Sequence, residues 1–297
     1  MREKKNTLRL PRVACEITAR GVAVLRREGE GGITACHTRA LPSSALTPAL
    51  GVPNVLNSAA VSDALGQALL ATGARGQNVI AVLPDAAARV TILDFDSLPE
   101  RRGEAEQAVR FRLRKSLPFD VEKASVSFDV QRTAQGLHVV AAVIPHSTLA
   151  EYESAFRAAG CEPGVVLPAS LAALAAVPET GATLMLKLSL DTTTVAIVQD
   201  GNLLLLRTLE GYGDTTPTVE RMADDIYPSL VYFQDHHGAN VERLLLNGPG
   251  TVAALAGALE AQAGVPVREL IAKGAVEADV ANEFAGAVAV LLQERGN

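Results

Sequence analysis

Between Leu98 and Arg132 the apolar positions change period. Ala105, Val109, Leu113 and Leu117 recur every fourth residue, with Ala108 beside them. That spacing predicts one apolar stripe on a helix of about four turns. Pro99 suits its first turn, and Pro118 stops it, because the residue before a proline avoids the α region. Beyond the Leu117-Pro118-Phe119 corner, Val126, Phe128 and Val130 alternate with Ser127 and Asp129. This is the pattern of a half-buried strand over 125–131. Leu137 to Ile144 predicts a second strand, pairing with it across a turn at 133–136.

The same reading extends along the chain. Arg12 to Leu25 predicts two short strands around a turn that includes Gly21, and Ile33 to Leu41 a third, so the chain opens on a meander. Pro42 to Asn57 is a loop by composition. Ser58 to Ala71 is a helix with Val61, Leu65, Ala68 and Leu69 on one face. Gln77 to Leu83 and Arg89 to Phe95 are strands. Pro145-His146-Ser147 opens a helix that Gly160 ends in a left-handed cap. Val165 to Leu167 is extended, and Pro168 to Ala176 a short helix. Leu184 to Gln199 and Asn202 to Leu209 predict a hairpin around Asp200-Gly201. Thr218 to His236 is a long helix with Met222, Ile226, Leu230 and Phe233 inward, kinked at Pro228. Val241 to Leu246 is a buried strand, Thr251 to Ala263 a helix, Val265 to Arg268 an edge strand and Asn282 to Arg295 the closing helix. Meander, helix, strand, helix, strand, helix thus occurs twice, at roughly 1–95 and 165–297.

Composition narrows the function classes. The 297 residues suffice for one large or two ordinary domains. Trp is absent and aromatics are 4%, so Ala, Val and Leu build the core. Three scattered cysteines without a Cys/His cluster argue against a zinc site and fit a reducing compartment. Met1 to Pro11 has no apolar run behind its charges, so no leader is expected. Apolar stretches break within about ten residues, short of the roughly 20 a membrane span needs. The expectation is a soluble, cytoplasmic chain whose membrane association comes through a partner. Against a net charge of −6, the 98–118 helix is basic: Arg101, Arg102, Arg110, Arg112, Arg114 and Lys115 face only Glu104 and Glu106. A solvated face and a docking surface for an acidic or extended partner are both open. Interleaved aromatics for nucleic acid are missing. His236 and His237 are adjacent on a helix and diverge, which does not make a metal site.

The stretch from Leu98-Pro99 through the Glu/Gln-rich helix, Leu117-Pro118-Phe119, Asp120 and Ser127-Phe128-Asp129-Val130 resembles the PilM family, actin-like cytoplasmic proteins of type IV pilus assembly. The order of elements is similar along nearly the whole chain. The resemblance implies an α/β fold: actin/hexokinase-like duplicated α/β domains around a cleft. The units would be 1–95 and 161–297, with a small α+β subdomain inserted at 96–160. It also places the loops that close on nucleotide. The family's first loop, roughly D-I-G-S-S-x-V-K, falls on Glu16 to Ala23, where the acid is Glu16, the glycine Thr18 and the lysine Ala23. The second, roughly D-I-G-x-x-x-T, falls on Lys187 to Thr194. There the acid is Lys187 and the glycine Ser189, and only Thr192, Thr193 and Thr194 keep the pattern. The double-glycine adenosine turn falls on Asn247, Gly248, Pro249 and Gly250.

Magnesium is normally held by carboxylates and phosphate oxygens, and here one carboxylate has become a lysine. The expectation is a scaffold with a degenerate nucleotide site. Weak ATP binding stays open, with Lys187 touching a phosphate. By the same resemblance the partner is a PilN-like inner-membrane protein, whose cytoplasmic N-terminal segment would lie in a groove. The candidate contacts are Arg110, Phe111, Arg114, Leu117, Pro118 and Phe119. Phe119 reads equally as a core residue. An ATPase or sugar-kinase-like enzyme with an altered cleft is the main alternative. A polymerising cytoskeletal protein is another; against it, no amphipathic membrane helix is evident near the C-terminus.

Overall fold

The computed structural model describes residues 10–29, 31–133, 136–213, 215, 217–248 and 252–293. Two five-stranded sheets dominate and share one topology. The first has the order β3 (Ile33–Ala40), β2 (Gly21–Arg27), β1 (Val13–Ile17), β4 (Asn78–Leu83) and β8 (Glu162–Pro168). The second runs β11 (Asn202–Glu210), β10 (Thr192–Gln199), β9 (Ala182–Leu188), β12 (Arg243–Asn247) and β13 (Val267–Glu269). In each sheet the first three strands form an antiparallel meander, and the last two join in parallel. The repeat anticipated from element order is thus a repeat of strand pairing.

Parallel strands need crossover helices, which cover the faces of their sheet. Helices α1 (Ser58–Ala71) and α3 (His146–Ala158) pack on one face of the first sheet through Val61, Leu65, Tyr152 and Phe156. On its other face lie α4 (Ala169–Ala173) and α8 (Ala285–Leu292). β1 is therefore buried at every position. In the second sheet, α5 (Val219–His237) and α6 (Val252–Ala263) cover one face with Met222, Ile226, Phe233 and Leu259. The opposite face, with Met185, Ala196 and Leu245, joins Ala14, Leu25 and Val82 of the first sheet in one central core. Pro228 lies inside α5 without ending it.

The third sheet has the order β5 (Arg89–Phe95), β7 (Gly136–Pro145), β6 (Ala124–Thr133), with α2 (Arg102–Leu113) laid over it. Ala105, Val109 and Leu113 are buried, as their spacing requires. Several elements differ from those the sequence predicts. Helix α2 starts later than Pro99: the Arg101 carbonyl accepts the first helical bond, from Ala105. It ends before Leu117, which packs beside the small core from the following turn. β5 pairs with β7 and so belongs to the small sheet, not to the unit at 1–95. α3 covers the first sheet, although it falls in the span 96–160. β8 pairs with β4 and α8 packs on the first sheet, although both fall in 161–297. The segment 184–199 is two strands, β9 and β10, with a turn at Ser189 to Asp191. The closing helix is broken at Phe284 into α7 (Ala278–Glu283) and α8.

Candidate functional site

The ends of β1, β4 and β9 and the start of β10 converge on a cleft between the lobes, closed on one side by α7. Its cavity is about 300 Å³ and takes in Thr18, Arg20, Asp85, Lys187, Ser189, Asp191 and Thr192, with Glu16 on its floor and Asp279, Asn282 and Glu283 on its wall. Of the residues placed by resemblance, Glu16, Lys187 and Thr192 come together here. Thr193 and Thr194 are buried in β10, outside the cavity lining. Asn247 and Gly248 also lie off the cavity; Asn247 Nδ2 donates to the Ala281 carbonyl at 2.9 Å, fixing α7 to the second lobe. Pro249 and Gly250 lie outside the described residues.

Asp85 was not anticipated, though it organises the floor. It follows the buried strand β4 at Pro84, so its carboxylate is presented just beyond the strand end. Asp85 Oδ1 accepts the backbone N–H of Ser170 at 2.7 Å, near the start of α4. Asp85 Oδ2 stands 3.3 Å from Lys187 Nζ, with both side chains almost fully buried. The ammonium also donates to Ser189 Oγ at 2.8 Å. Asp85 belongs to the first lobe and Lys187 to the second, so the ion pair crosses the cleft.

Glu16 lies beside this pair. Its Oε2 accepts the Ala287 N–H at 2.7 Å, because the break at Phe284 starts a new helix whose third N–H points at β1. Burial pushes the Glu16 carboxyl up to about 7; Lys187 and the Ala287 N–H pull it down, while Asp85 and Glu283 push it further up. Burial also raises the Asp191 carboxyl, against the pull of Arg20 on the opposite lobe. Thr18 Oγ1 donates to Glu283 Oε1 at 2.9 Å, joining the first turn to α7.

Bonds within each turn engage part of its own backbone. The N–H groups of Arg20 and Gly21 point to Thr18 Oγ1, at 3.3 and 3.1 Å. Ser189 N–H donates to the Thr192 carbonyl at 2.8 Å. Among the described residues, no group of three His, Cys, Asp or Glu side chains is placed to hold a metal ion.

The chain as a whole aligns with three solved structures. A chain of the PilM–PilN type IV pilus biogenesis complex matches with a TM-score of 0.77 and 21% identity, covering 96% of this chain and 98% of that one. A protein of actin-like ATPase fold and unknown function from Bacteroides thetaiotaomicron VPI-5482 matches at 0.56 and 13% identity, over 98% of both. The fold is actin-like. The cytoplasmic domain of EpsL, an inner membrane component of the type II secretion system of Vibrio cholerae, matches at 0.52 and 12% identity, over 80% of this chain and 82% of that one. No family model matches the sequence, and comparison with curated proteins by sequence matches none.

An actin-like cleft is suited to magnesium nucleotide when each phosphate turn presents an acid for the metal and a glycine whose surroundings leave N–H groups to the phosphates. The residues of this cleft depart from that pattern. Lys187 stands at the second acid's position and is engaged by Asp85. Thr18 and Ser189 replace the two glycines, and bonds within the turns engage the N–H groups of Thr18, Arg20, Gly21 and Ser189. A polyphosphate entering the cavity would meet Glu283, Asp279 and Asp191 on its walls, with Arg20 beside Asp191.

The six candidate docking residues form less of a common surface than their sequence suggests. Arg110 is half-buried and holds the small subdomain together. It pairs with Glu106 at 2.9 Å, and its Nη1 donates to the carbonyls of Val121 and Ala124, at 2.7 and 3.1 Å. Arg114 is exposed and pairs with Glu122. Phe111 is 64% exposed, opposite the buried stripe. Leu117 and Phe119 are half-buried against the small core, and Pro118 between them is exposed.

Proposed function

We propose that this chain is a structural adaptor of a type IV pilus or related type II secretion machine. In this reading it docks the cytoplasmic N-terminal segment of a PilN-like inner-membrane protein and does not turn over nucleotide. The observation that carries the reading is the alignment of nearly the entire chain with a chain of the PilM–PilN complex. The degenerate cleft supports the second half of it. Among the described residues no helix is long and apolar enough to cross a membrane, so a place at the inner membrane would come through the partner.

The docking surface we favour lies where the small subdomain meets the loop at 42–57. The Phe119 ring lies close to Gly51, near enough that a methyl group there would sit 3.8 Å from it. The next residue, Val52, is 50% exposed, and Leu56 is 59% exposed. This loop is built to stay in place. Asn54 Nδ2 donates to the carbonyls of Ala49 and Val52, and Glu151 Oε2 accepts the N–H groups of Asn54 and Val55. A fixed apolar ledge of this kind suits an extended peptide, because little ordering cost remains to be met on binding. Isothermal calorimetry with a peptide of the partner's N-terminal cytoplasmic segment tests the reading. Saturable binding in the micromolar range is expected. No binding, together with phosphate release from magnesium ATP that Glu16→Ala abolishes, would overturn it in favour of an enzyme.

A further inference from the structure

We infer that Lys187 serves as the cleft's own resident cation, clasping the two lobes through Asp85 so that closure does not wait for a nucleotide and its metal. The inference goes beyond the adaptor reading and does not depend on it.

Two buried carboxylates of the first lobe, Glu16 and Asp85, stand together at the cleft floor. Like charges in a buried site need a cation, or one of them gives up its charge. In a nucleotide-binding cleft of this fold a metal ion would supply it. Here the cation arrives on a side chain of the second lobe. Lys187 Nζ stands 3.3 Å from Asp85 Oδ2, and Ser189 Oγ accepts from it at 2.8 Å. Asp85 is held independently by the Ser170 N–H. Each ion therefore has a second partner on its own lobe, the arrangement that lets a buried pair recover its desolvation cost.

Tethering changes the equilibrium. A free ligand closes the lobes only in proportion to its concentration, whereas an ammonium fixed to β9 acts at an effective concentration set by geometry alone. Two further contacts brace the same closure. Thr18 of the first turn donates to Glu283 of α7, and Asn247 of the second lobe holds α7 through Ala281. Within the cleft turns, the N–H groups of Thr18, Arg20, Gly21 and Ser189 bond inside their own turn.

Hydrogen exchange read by mass spectrometry on the full chain tests the clasp, using Lys187→Met, Asp85→Asn and the double variant. Each single change leaves a buried partner unmatched, and should speed exchange at 16–21, 84–87 and 187–192 by roughly tenfold or more. Exchange in the centres of α1 and α5 should not change. Coupled residues are not additive, so the double variant should exchange no faster than the worse single. If a single variant fails to fold while the double folds, that is the same coupling in stronger form and supports the clasp. Additive effects, unchanged exchange in either single, or failure of all three to fold would overturn it, as would protection of the wild-type cleft by millimolar magnesium ATP.

Discussion

Ala287 donates its backbone N–H to Glu16 Oε2 at 2.7 Å, joining the first strand to the last helix. This bond is not enough to keep the carboxyl ionised in a buried site, and burial raises it to about 7. An acid raised from its ordinary 4.5 keeps its proton longer when folded than when unfolded. Its contribution to stability is therefore full below about pH 4.5 and is lost as pH rises to 7, at a slope of up to about 1.4 kcal/mol per pH unit. Glutamine at this position keeps an acceptor for Ala287 without the charge. Urea melts of wild type and Glu16→Gln across pH 5 to 8 should show the variant gaining on wild type as pH rises. A difference that does not vary with pH would mean that Glu16 is ionised throughout.

Gly286 is the point where α8 touches both β4 and the cleft floor. A methyl group there would stand 2.9 Å from Val82 Cγ1, 3.0 Å from the Ala169 carbonyl and 3.2 Å from Glu16 Oε2. Backbone cannot yield as a side-chain tip can, so overpacking should outweigh the helix preference for alanine. Gly286→Ala is expected to cost about 1–3 kcal/mol. Gly257 in α6 has open space around its Cα, and Gly257→Ala should instead stabilise by about 0.5–1 kcal/mol. Thermal melts of the two variants should move in opposite directions.

These positions also mark how far the sequence could be read. The meanders and the 124–145 hairpin follow from local alternation, and Gly160 from its left-handed cap, with φ at 88°. Pairings between distant segments left no local trace: nothing in Val165 to Leu167 says that it joins β4 rather than the second unit. The turn at Ser189 to Asp191 comes only from the resemblance, which lays a loop on Lys187 to Thr194; the pattern alone reads 184–199 as one strand, because both flanking strands are buried nearly throughout. In the closing helix the apolar positions Phe284, Val288 and Leu291 run on with no local sign of the break, which the structure places at Phe284 with φ −121° and ψ 42°. Glu16 and Lys187 could be placed by resemblance. Asp85 could not, since its partner lies 102 residues away and a Pro-Asp pair after a strand reads as an ordinary turn.

The cleft makes a quantitative statement about nucleotide. A ligand present at a hundred times its dissociation constant stabilises by about 2.7 kcal/mol, whereas one far below its constant does nothing. With Lys187 and the N–H groups of Thr18, Gly21 and Ser189 already engaged, millimolar magnesium ATP should raise the melting temperature by less than about 1 °C. Lys187→Asp restores the acid of the second turn but leaves Thr18 and Ser189 in place, so it should not recover tight binding. A shift of several degrees at micromolar ATP in the wild type would show that the cleft is a working nucleotide site.

The two phenylalanines near the α2 corner separate architecture from docking. Phe119 is half-buried against the small core and the 42–57 loop. Its truncation should cost less than the roughly 3–5 kcal/mol of a fully buried Phe→Ala, on the order of 1–3 kcal/mol. Phe111 is 64% exposed on the opposite face of the helix, and Phe111→Ala should change stability by less than about 0.5 kcal/mol. Binding of the partner peptide should sort them differently. If the peptide lies on the ledge formed by Phe119, Gly51 and Val52, Phe119→Ala should lose about 2 kcal/mol or more of affinity, as a buried aromatic anchor does. Arg114→Ala should then lose less than about 1 kcal/mol, because its pair with Glu122 is exposed. Arg110→Ala should lower stability, since it strips hydrogen bonds from the Val121 and Ala124 carbonyls. Calorimetry and circular dichroism melts on the same four variants decide the matter. Unchanged affinity in Phe119→Ala, with a large loss in Phe111→Ala, would move the docking face to the exposed side of α2.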